Sequence, residues 1–282
     1  MRFTKMHGCG NDYIYLDGFT QSVPDDPAAL SRYLSREHFG IGADGIILIL
    51  PCEGADARMR IFNKDGSEGE MCGNGIRCVG KFLCDSGIAR KDVLNIQTGG
   101  GLKILEMRFD GGKAIGARVD MGQPRFEPEA IPVNAGSNRI KLDFEEKPVE
   151  FFCLNMGNPH AVTLSYSPTA ADFARAGGFF ENHPAFPARA NISFCRVINR
   201  THLETRIWER GSGPTLACGT GATATMVAAY MQGKVDSGAY VKLPGGELFI
   251  EYDVSSGHAF MTGPAETVFT GEFDISQLKY KE

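Results

Sequence analysis

The chain has 282 residues, 43% of them hydrophobic and 22% charged, and a formal net charge of −5. No run of 18 or more apolar residues offers a membrane-spanning helix, and the acidic balance, with Lys and Arg scattered, gives no broad attraction for nucleic acid. The length exceeds one ordinary core, so two domains are expected, with one large β-rich domain as the alternative, and small molecules are the expected partners.

In chain order, "MRFTKMHGCGNDYIYLDG" reads as a strand and its turn rather than a leader, which makes the cytoplasm the expected location. A helix is predicted over about 27–37, opening at Pro27 after two aspartates. "GIILIL" and "ARMRIF" are strand-like, and a helix over about 73–85 follows Cys72. "LKILEMRF" and "AIGARVD" continue the strands beyond a glycine turn at 99–101. The glycine- and proline-broken stretch 117–132 then marks a boundary. Downstream come a helix at about 169–176, the strands "ISFCRVI" and "LETRIW", a helix at about 219–232, and the strands "ELFIEY" and "HAFMT". "GATATMVAAYMQG" is apolar or small on every face, which predicts a helix enclosed by protein.

The chain also repeats itself. Cys72 and Cys218 lie 146 residues apart (218 less 72), and "RIFNKDGSEGEMCGNG" at that shift overlies "RIWERGSGPTLACGTG" without a gap. "TGGGLKIL" meets "PGGELFIE" at the same shift, and "GNDYIYL" meets "GNPHAVTL" one residue away from it. Three ordered matches predict two copies of one domain, with a period far too long for a solenoid. The expected class is α+β: two homologous β-rich domains, each a curved sheet or open barrel around a central helix, related by a pseudo-twofold axis. The first domain takes 1–119 plus 264–282, the tail returning to complete its sheet, and the second takes 120–263.

Each copy sets a thiol at the mouth of its central helix. A free thiol titrates near 8.5, and a helix N-terminus favours the thiolate, so a base comes within reach at neutral pH. The glycines that follow leave backbone N–H groups open to a carboxylate and to charge developing beside it. Inverting a carbon by proton exchange needs removal on one face and return on the other, which two like groups facing each other across the axis can do in either direction. An isolated cysteine is ordinarily a small core residue, and that reading is kept for Cys9, Cys52, Cys78, Cys84, Cys153 and Cys195. No pair has Cys-x2-Cys spacing, so no metal is expected, and eight cysteines in a chain of this length are expected to be reduced.

These residues resemble the diaminopimelate epimerases. The likeness runs through "KMHGCGND", "GIGADG", "RIFNKDGSEGEMCGNGIRC", "MGNPHAV", "WERGSGPTLACGTGA" and "LPGGEL", in order and along essentially the whole chain. It implies interconversion of LL- and meso-2,6-diaminoheptanedioate, a step feeding lysine and peptidoglycan synthesis, without pyridoxal phosphate, other cofactor or metal. A homodimer is compatible with it. By this resemblance Cys72 and Cys218 are the acid and base pair, and His160 and Glu209, near the thiols, are the further catalytic residues. The N–H groups of Gly73, Asn74, Gly219 and Thr220 receive the carboxylate beside the reacting carbon. Asn11, Asn63, Asn158, Asn191, Glu209 and Arg210 bind the rest of the substrate, Arg210 being suited to its distant carboxylate. His7 is read as structural and Trp208 as core beside the site. Some family members carry Gln where this chain has Gly45, which removes one substrate contact. The nearest rival class is a proline racemase or hydroxyproline epimerase, which typically has His where Asn74 stands; a thiol-disulfide protein or non-catalytic binding module is the rival of another kind.

Overall fold

The structure is a computed structural model, and it describes residues 1–277. Two compact units emerge from it: Met1–Val119 with the described residues from Gly263 onward, and Asp120–Thr262. Residues 278–282 of the returning tail lie outside the described residues.

In the first unit Arg2–Gly8 and Asn11–Asp17 form an antiparallel hairpin. Its turn residues, Cys9 and Gly10, have φ of 56° and 80°, the left-handed pair that suits a two-residue hairpin. Asn11–Asp17 runs parallel to Gly45–Leu50, and the crossover carries helix α1, Pro27–Leu34. Pro27 sits in its first turn, and the Asp26 carboxylate accepts from Ala29 N at 2.9 Å. Gly45–Leu50 pairs antiparallel with Ala57–Asn63, which runs parallel to Val93–Thr98. That second crossover carries α2, Gly73–Asp85. Two further antiparallel strands follow, Gly101–Asp110 and Lys113–Gly122, and Glu266–Glu272 pairs antiparallel with Arg2–Gly8.

The second unit repeats this order. Lys147–Asn155 pairs with Pro159–Thr163, which runs parallel to Asn191–Asn199, with α3, Phe173–Glu181, in the crossover. Asn191–Asn199 pairs with His202–Glu209, which runs parallel to Gly238–Leu243, with α4, Gly219–Met231, in that crossover. Gly246–Asp253 and His258–Pro264 continue antiparallel, and Arg139–Phe144 flanks Lys147–Asn155 as Glu266–Glu272 flanks Arg2–Gly8. The α+β class and the two β-rich copies expected from the repeat are therefore present.

Period-2 side chains explain how each sheet serves two helices. In "GIILIL", Ile46 and Leu48 join the α1 cluster with Phe3, Ile14, Leu30 and Leu34, while Ile47 points at α2. The strand is apolar throughout because both faces are covered. In the second unit Ile192 and Phe194 join Phe173, Phe180 and Phe186 beneath α3. α4 packs against strands on several sides and is buried along almost its whole length, as an all-apolar helix must be. A Cβ at Gly75 would lie 2.7 Å from Ile47 Cδ1, and one at Gly221 2.6 Å from Ile207 Cδ1. The second glycine of each Cys-Gly-x-Gly is thus a packing requirement that lets the helix mouth sit against the sheet.

Two helices depart from their expected bounds. α1 ends at Leu34 because Ile41 N and Gly42 N turn back onto Leu34 O, closing the helix end before residue 37. α3 begins at Phe173 rather than near 169: the Thr169 hydroxyl bonds Asp172 and shapes a non-helical lead-in. It runs on through Gly177 because the Trp208 ring occupies the space where a Cβ would stand, and it ends only after buried Phe180 and Glu181.

Arg77 on α2 is fully buried, and its guanidinium donates to Pro264 O at 3.0 Å, Gly73 O at 3.0 Å and the Asn74 amide oxygen at 3.1 Å. It ties the helix mouth to the returning segment. Replacing it by Met leaves those acceptors without their donor, and Arg77→Met is expected to cost about 3 kcal/mol in denaturant unfolding.

Candidate active site

Both cysteines cap their helices. Cys72 has φ −131° and ψ 116°, and Cys218 has φ −127° and ψ 113°, so each stands in extended backbone at the N-cap. The first intrahelical donors are Ile76 N to Cys72 O and Ala222 N to Cys218 O, both at 2.9 Å. Gly73 and Asn74 in one unit, and Gly219 and Thr220 in the other, therefore place their N–H groups in the first turn, where anions are favoured.

In the first unit the Cys72 sulfur accepts from Gly75 N at 3.3 Å and donates to the Asn11 amide oxygen at 3.2 Å. The sulfur thus has one donor and one acceptor in reach, a partner for thiol and thiolate alike. Asp44 orients Asn11: its carboxylate accepts from Asn11 Nδ2 at 2.7 Å, which turns the amide oxygen toward Cys72 and toward Asn74 Nδ2, 3.4 Å away. Burial raises the Asp44 pKa, and the Asn11 amide opposes that rise. Asn63, at the end of its strand, donates to Ser67 Oγ at 3.0 Å. Asn11, Asn74 and Cys72 form one hydrogen-bonded cluster, and Asn63 is held in a separate turn of the same unit.

In the second unit Cys218 is buried, with its sulfur 3.5 Å from Thr220 Oγ1. Burial above all, and then the neighbouring Glu209 carboxylate, push its pKa well above the ordinary thiol value; Thr220 and Gly221 N–H pull the other way. At Cys218 dehydration and a nearby negative charge act against the helix terminus, which favours the thiolate. Glu209 is itself pinned by Thr215 Oγ1 at 2.6 Å. Asn191 donates to Pro159 O at 2.9 Å and accepts from Arg210 N at 3.0 Å, while the Arg210 guanidinium donates to Ala188 O at 3.0 Å. The strand ends carrying Asn158, Asn191, Glu209 and Arg210 are thereby laced together.

His160 is fully buried. Its Nε2 meets the Asn158 amide oxygen at 2.8 Å, and Nδ1 has no hydrogen-bond partner among the described residues. Burial first, and then the Arg210 charge, lower its pKa to about 3. Burial thus disfavours the charged ring, and the contact with Asn158 suits His160 to orienting that amide.

The remaining thiols separate clearly. Cys9, Cys78, Cys84, Cys153 and Cys195 are buried, and burial pushes Cys78 up to about 11 and Cys153 and Cys195 up to about 12. Cys52 is not a core residue: it lies half-exposed just past Gly45–Leu50, where the strand has left the sheet. His7 accepts from Gly10 N in the first hairpin, and Trp208 joins the aromatic cluster beneath α3. Glu181, which the sequence reading missed, is a buried carboxylate bonded to Trp208 and Gly211 on either side of Glu209 and Arg210.

Two β-rich units, each with a cysteine-capped central helix, define an isomerase fold of the racemase and epimerase kind. Among solved structures, a probable proline racemase from Agrobacterium radiobacter superposes with a TM-score of 0.71 at 18% identity, over 97% of this chain and 93% of that one. A hydroxyproline epimerase from Agrobacterium vitis gives 0.66 at 18%, over 96% and 91%. At that identity the likeness concerns the fold alone. The family model described as "Diaminopimelate epimerase" matches residues 3–127 and 152–268. A diaminopimelate epimerase of Acetivibrio thermocellus is 48% identical over 281 residues, covering 99% of this chain and 100% of that protein. One of Methanococcus maripaludis is 46% identical over 278 residues, covering 98% and 100%. The chain belongs to the diaminopimelate epimerase family.

Gly45 explains why this chain does not carry Gln at that position: a Cβ there would lie 2.1 Å from Phe62 O and 3.0 Å from the Tyr13 ring. Gly45→Gln is expected to lower stability by about 2 kcal/mol in urea unfolding instead of adding a substrate contact. For His160, the folded pKa lies below the unfolded one, so the neutral ring stabilises the fold above about pH 6.5, and that contribution is lost as pH falls toward about 3. The His160 ring resonances are expected to stay unchanged between pH 8 and 5 in an NMR titration, with no midpoint near 6.5.

Proposed function

We propose that this protein interconverts LL- and meso-2,6-diaminoheptanedioate by moving protons through Cys72 and Cys218. The observation that carries the reading is the pair of cysteine N-caps with nearly the same backbone angles, one per unit, each followed by two first-turn N–H groups. The relatives' names supply the substrate.

A thiolate removes the proton from the α-carbon, and the C–H electron pair moves into the adjoining carboxylate. The N–H groups of Gly73, Asn74, Gly219 and Thr220 are assigned to that carboxylate, where they offset the growing charge. The other thiol returns a proton to carbon, leaving its sulfur as thiolate, so the protein ends with the roles exchanged. Burial and Glu209 favour the protonated form of Cys218, so Cys218 is assigned the thiol role at rest and its counterpart Cys72 the thiolate role. Removal by Cys72 and return by Cys218 is then the first direction of turnover.

Arg210 is assigned to the distant carboxylate, and Asn11, Asn63, Asn158 and Asn191 to the ammonium and carboxylate groups that fix the stereochemistry at the far centre. Glu209 has two tasks: holding the Cys218 proton and accepting from the substrate ammonium. His160 acts through Asn158. A cytoplasmic setting fits this chemistry, since sulfurs that cycle protons must stay reduced.

In heavy water the protein is expected to incorporate deuterium at the α-carbon of diaminopimelate and not of proline; exchange with proline alone sinks the assignment. Cys72→Ala and Cys218→Ala are each expected to reduce epimerisation by at least about 10³-fold while substrate still binds, and a fully active single variant refutes the two-thiol scheme.

A further inference from the structure

The second unit contains a charged group that no step above uses. Glu181, the last residue of α3, is only 5% exposed, and three donors from three places converge on its carboxylate. Oε2 accepts from Trp208 Nε1 at 2.7 Å; Oε1 accepts from Gly211 N at 2.8 Å and from Arg189 Nη1 at 3.1 Å.

These partners flank Arg210 on both of its sides. Trp208 and Gly211 stand immediately before and after the Glu209–Arg210 pair. Arg189 follows Ala188, whose carbonyl receives the Arg210 guanidinium at 3.0 Å. The backbone at both anchor points is left-handed, with φ of 55° at Arg189 and 79° at Gly211. The first is a conformation that a non-glycine residue holds only when its surroundings impose it. The Trp208 ring lies against Gly177, where a Cβ would come within 2.5 Å of it, and that contact aims the indole N–H along α3 toward Glu181, one turn on.

We propose that Glu181 is the positioning residue for the substrate-binding turn: one buried carboxylate holds the turn that carries Glu209 and Arg210 and also the loop that receives the Arg210 guanidinium. The role of Arg210 in this argument rests on the function proposed above. An ionised carboxylate suits the task because it only accepts, and all three partners only donate. A Gln in its place offers one acceptor oxygen and one NH2 group, so at least one of the three N–H groups faces another donor. The turn then loosens around Arg210, whereas Glu209 keeps its own hydrogen bond from Thr215 Oγ1 at 2.6 Å, so the loss falls on substrate binding more than on proton transfer.

Glu181→Gln is expected to raise KM for diaminopimelate about tenfold while kcat changes less than about threefold, at a temperature well below its unfolding midpoint. Trp208 is the only tryptophan, so its emission reports the same contact without substrate. A shifted emission and faster exchange of the Gly211 amide in Glu181→Gln are expected alongside the KM change. A folded Glu181→Gln protein with wild-type KM, emission and Gly211 protection overturns the proposal. A purely structural role would lower the melting temperature and leave KM alone, and that result overturns it too. Should Glu181→Gln not fold, Trp208→Phe decides: it keeps an aromatic ring and removes one donor, with KM expected to rise about threefold and an unchanged KM overturning the proposal. If the wild-type protein does not act on diaminopimelate, the functional reading fails, and the emission and amide-exchange measurements still test the clamp by themselves.

Discussion

A helix end pressed against a sheet is the constraint on which the rest depends. For Cys72 and Cys218 to cap their helices, α2 and α4 must start where a strand's side chains already stand, and only glycine at positions 75 and 221 leaves room for Ile47 and Ile207. The consequence is chemical. A helix mouth sealed on one side by isoleucine is partly shielded from water, so in the proposed scheme its N–H groups meet the substrate carboxylate in a medium that weakens them less than solvent would.

The same shielding acts on the thiols, and here two similar backbones yield unlike sites. Cys72 is half-exposed, with a donor and an acceptor both in reach. Cys218 is buried beside a carboxylate. The repeat in the sequence suggested two like groups of similar acidity, and it could not reveal the difference. Glu209 aligns in the first copy with Asn63, so the offset that makes the cysteines equivalent also hides the charge that separates them.

Much of the architecture was legible because it rests on local pattern. The all-apolar face count of α4, the Pro27 start of α1, the glycine turn at 99–100 and the repeat itself each follow from neighbours in sequence. What was not legible depends on distant contacts. The end of α1 is set by Ile41 and Gly42 folding back onto Leu34, and α3 runs on to Glu181 because Trp208 packs on Gly177 from another strand. Glu181 gave one faint signal, a lone charge closing the apolar run "GGFF" ahead of "NHP". Helix-end glutamates are common enough that nothing in the pattern marks this one as buried.

Reversibility gives the asymmetry its meaning. An epimerase of this kind must start each turnover with one sulfur protonated and the other not, and two identical environments would leave half of the molecules wrongly charged for either substrate. Placing Glu209 beside Cys218 biases the proton to that side, and placing Gly75 N–H on Cys72 accommodates the opposite charge there. That bias works against the return reaction, which needs the reverse state, since every pKa unit of preference adds about 1.4 kcal/mol to it. In the proposed scheme, a substrate ammonium that draws on Glu209 reduces the carboxylate's effect on Cys218, which evens the two sulfurs at the moment the proton must move. Glu209 in that scheme is adjustable, and the fixed part is the turn that carries it.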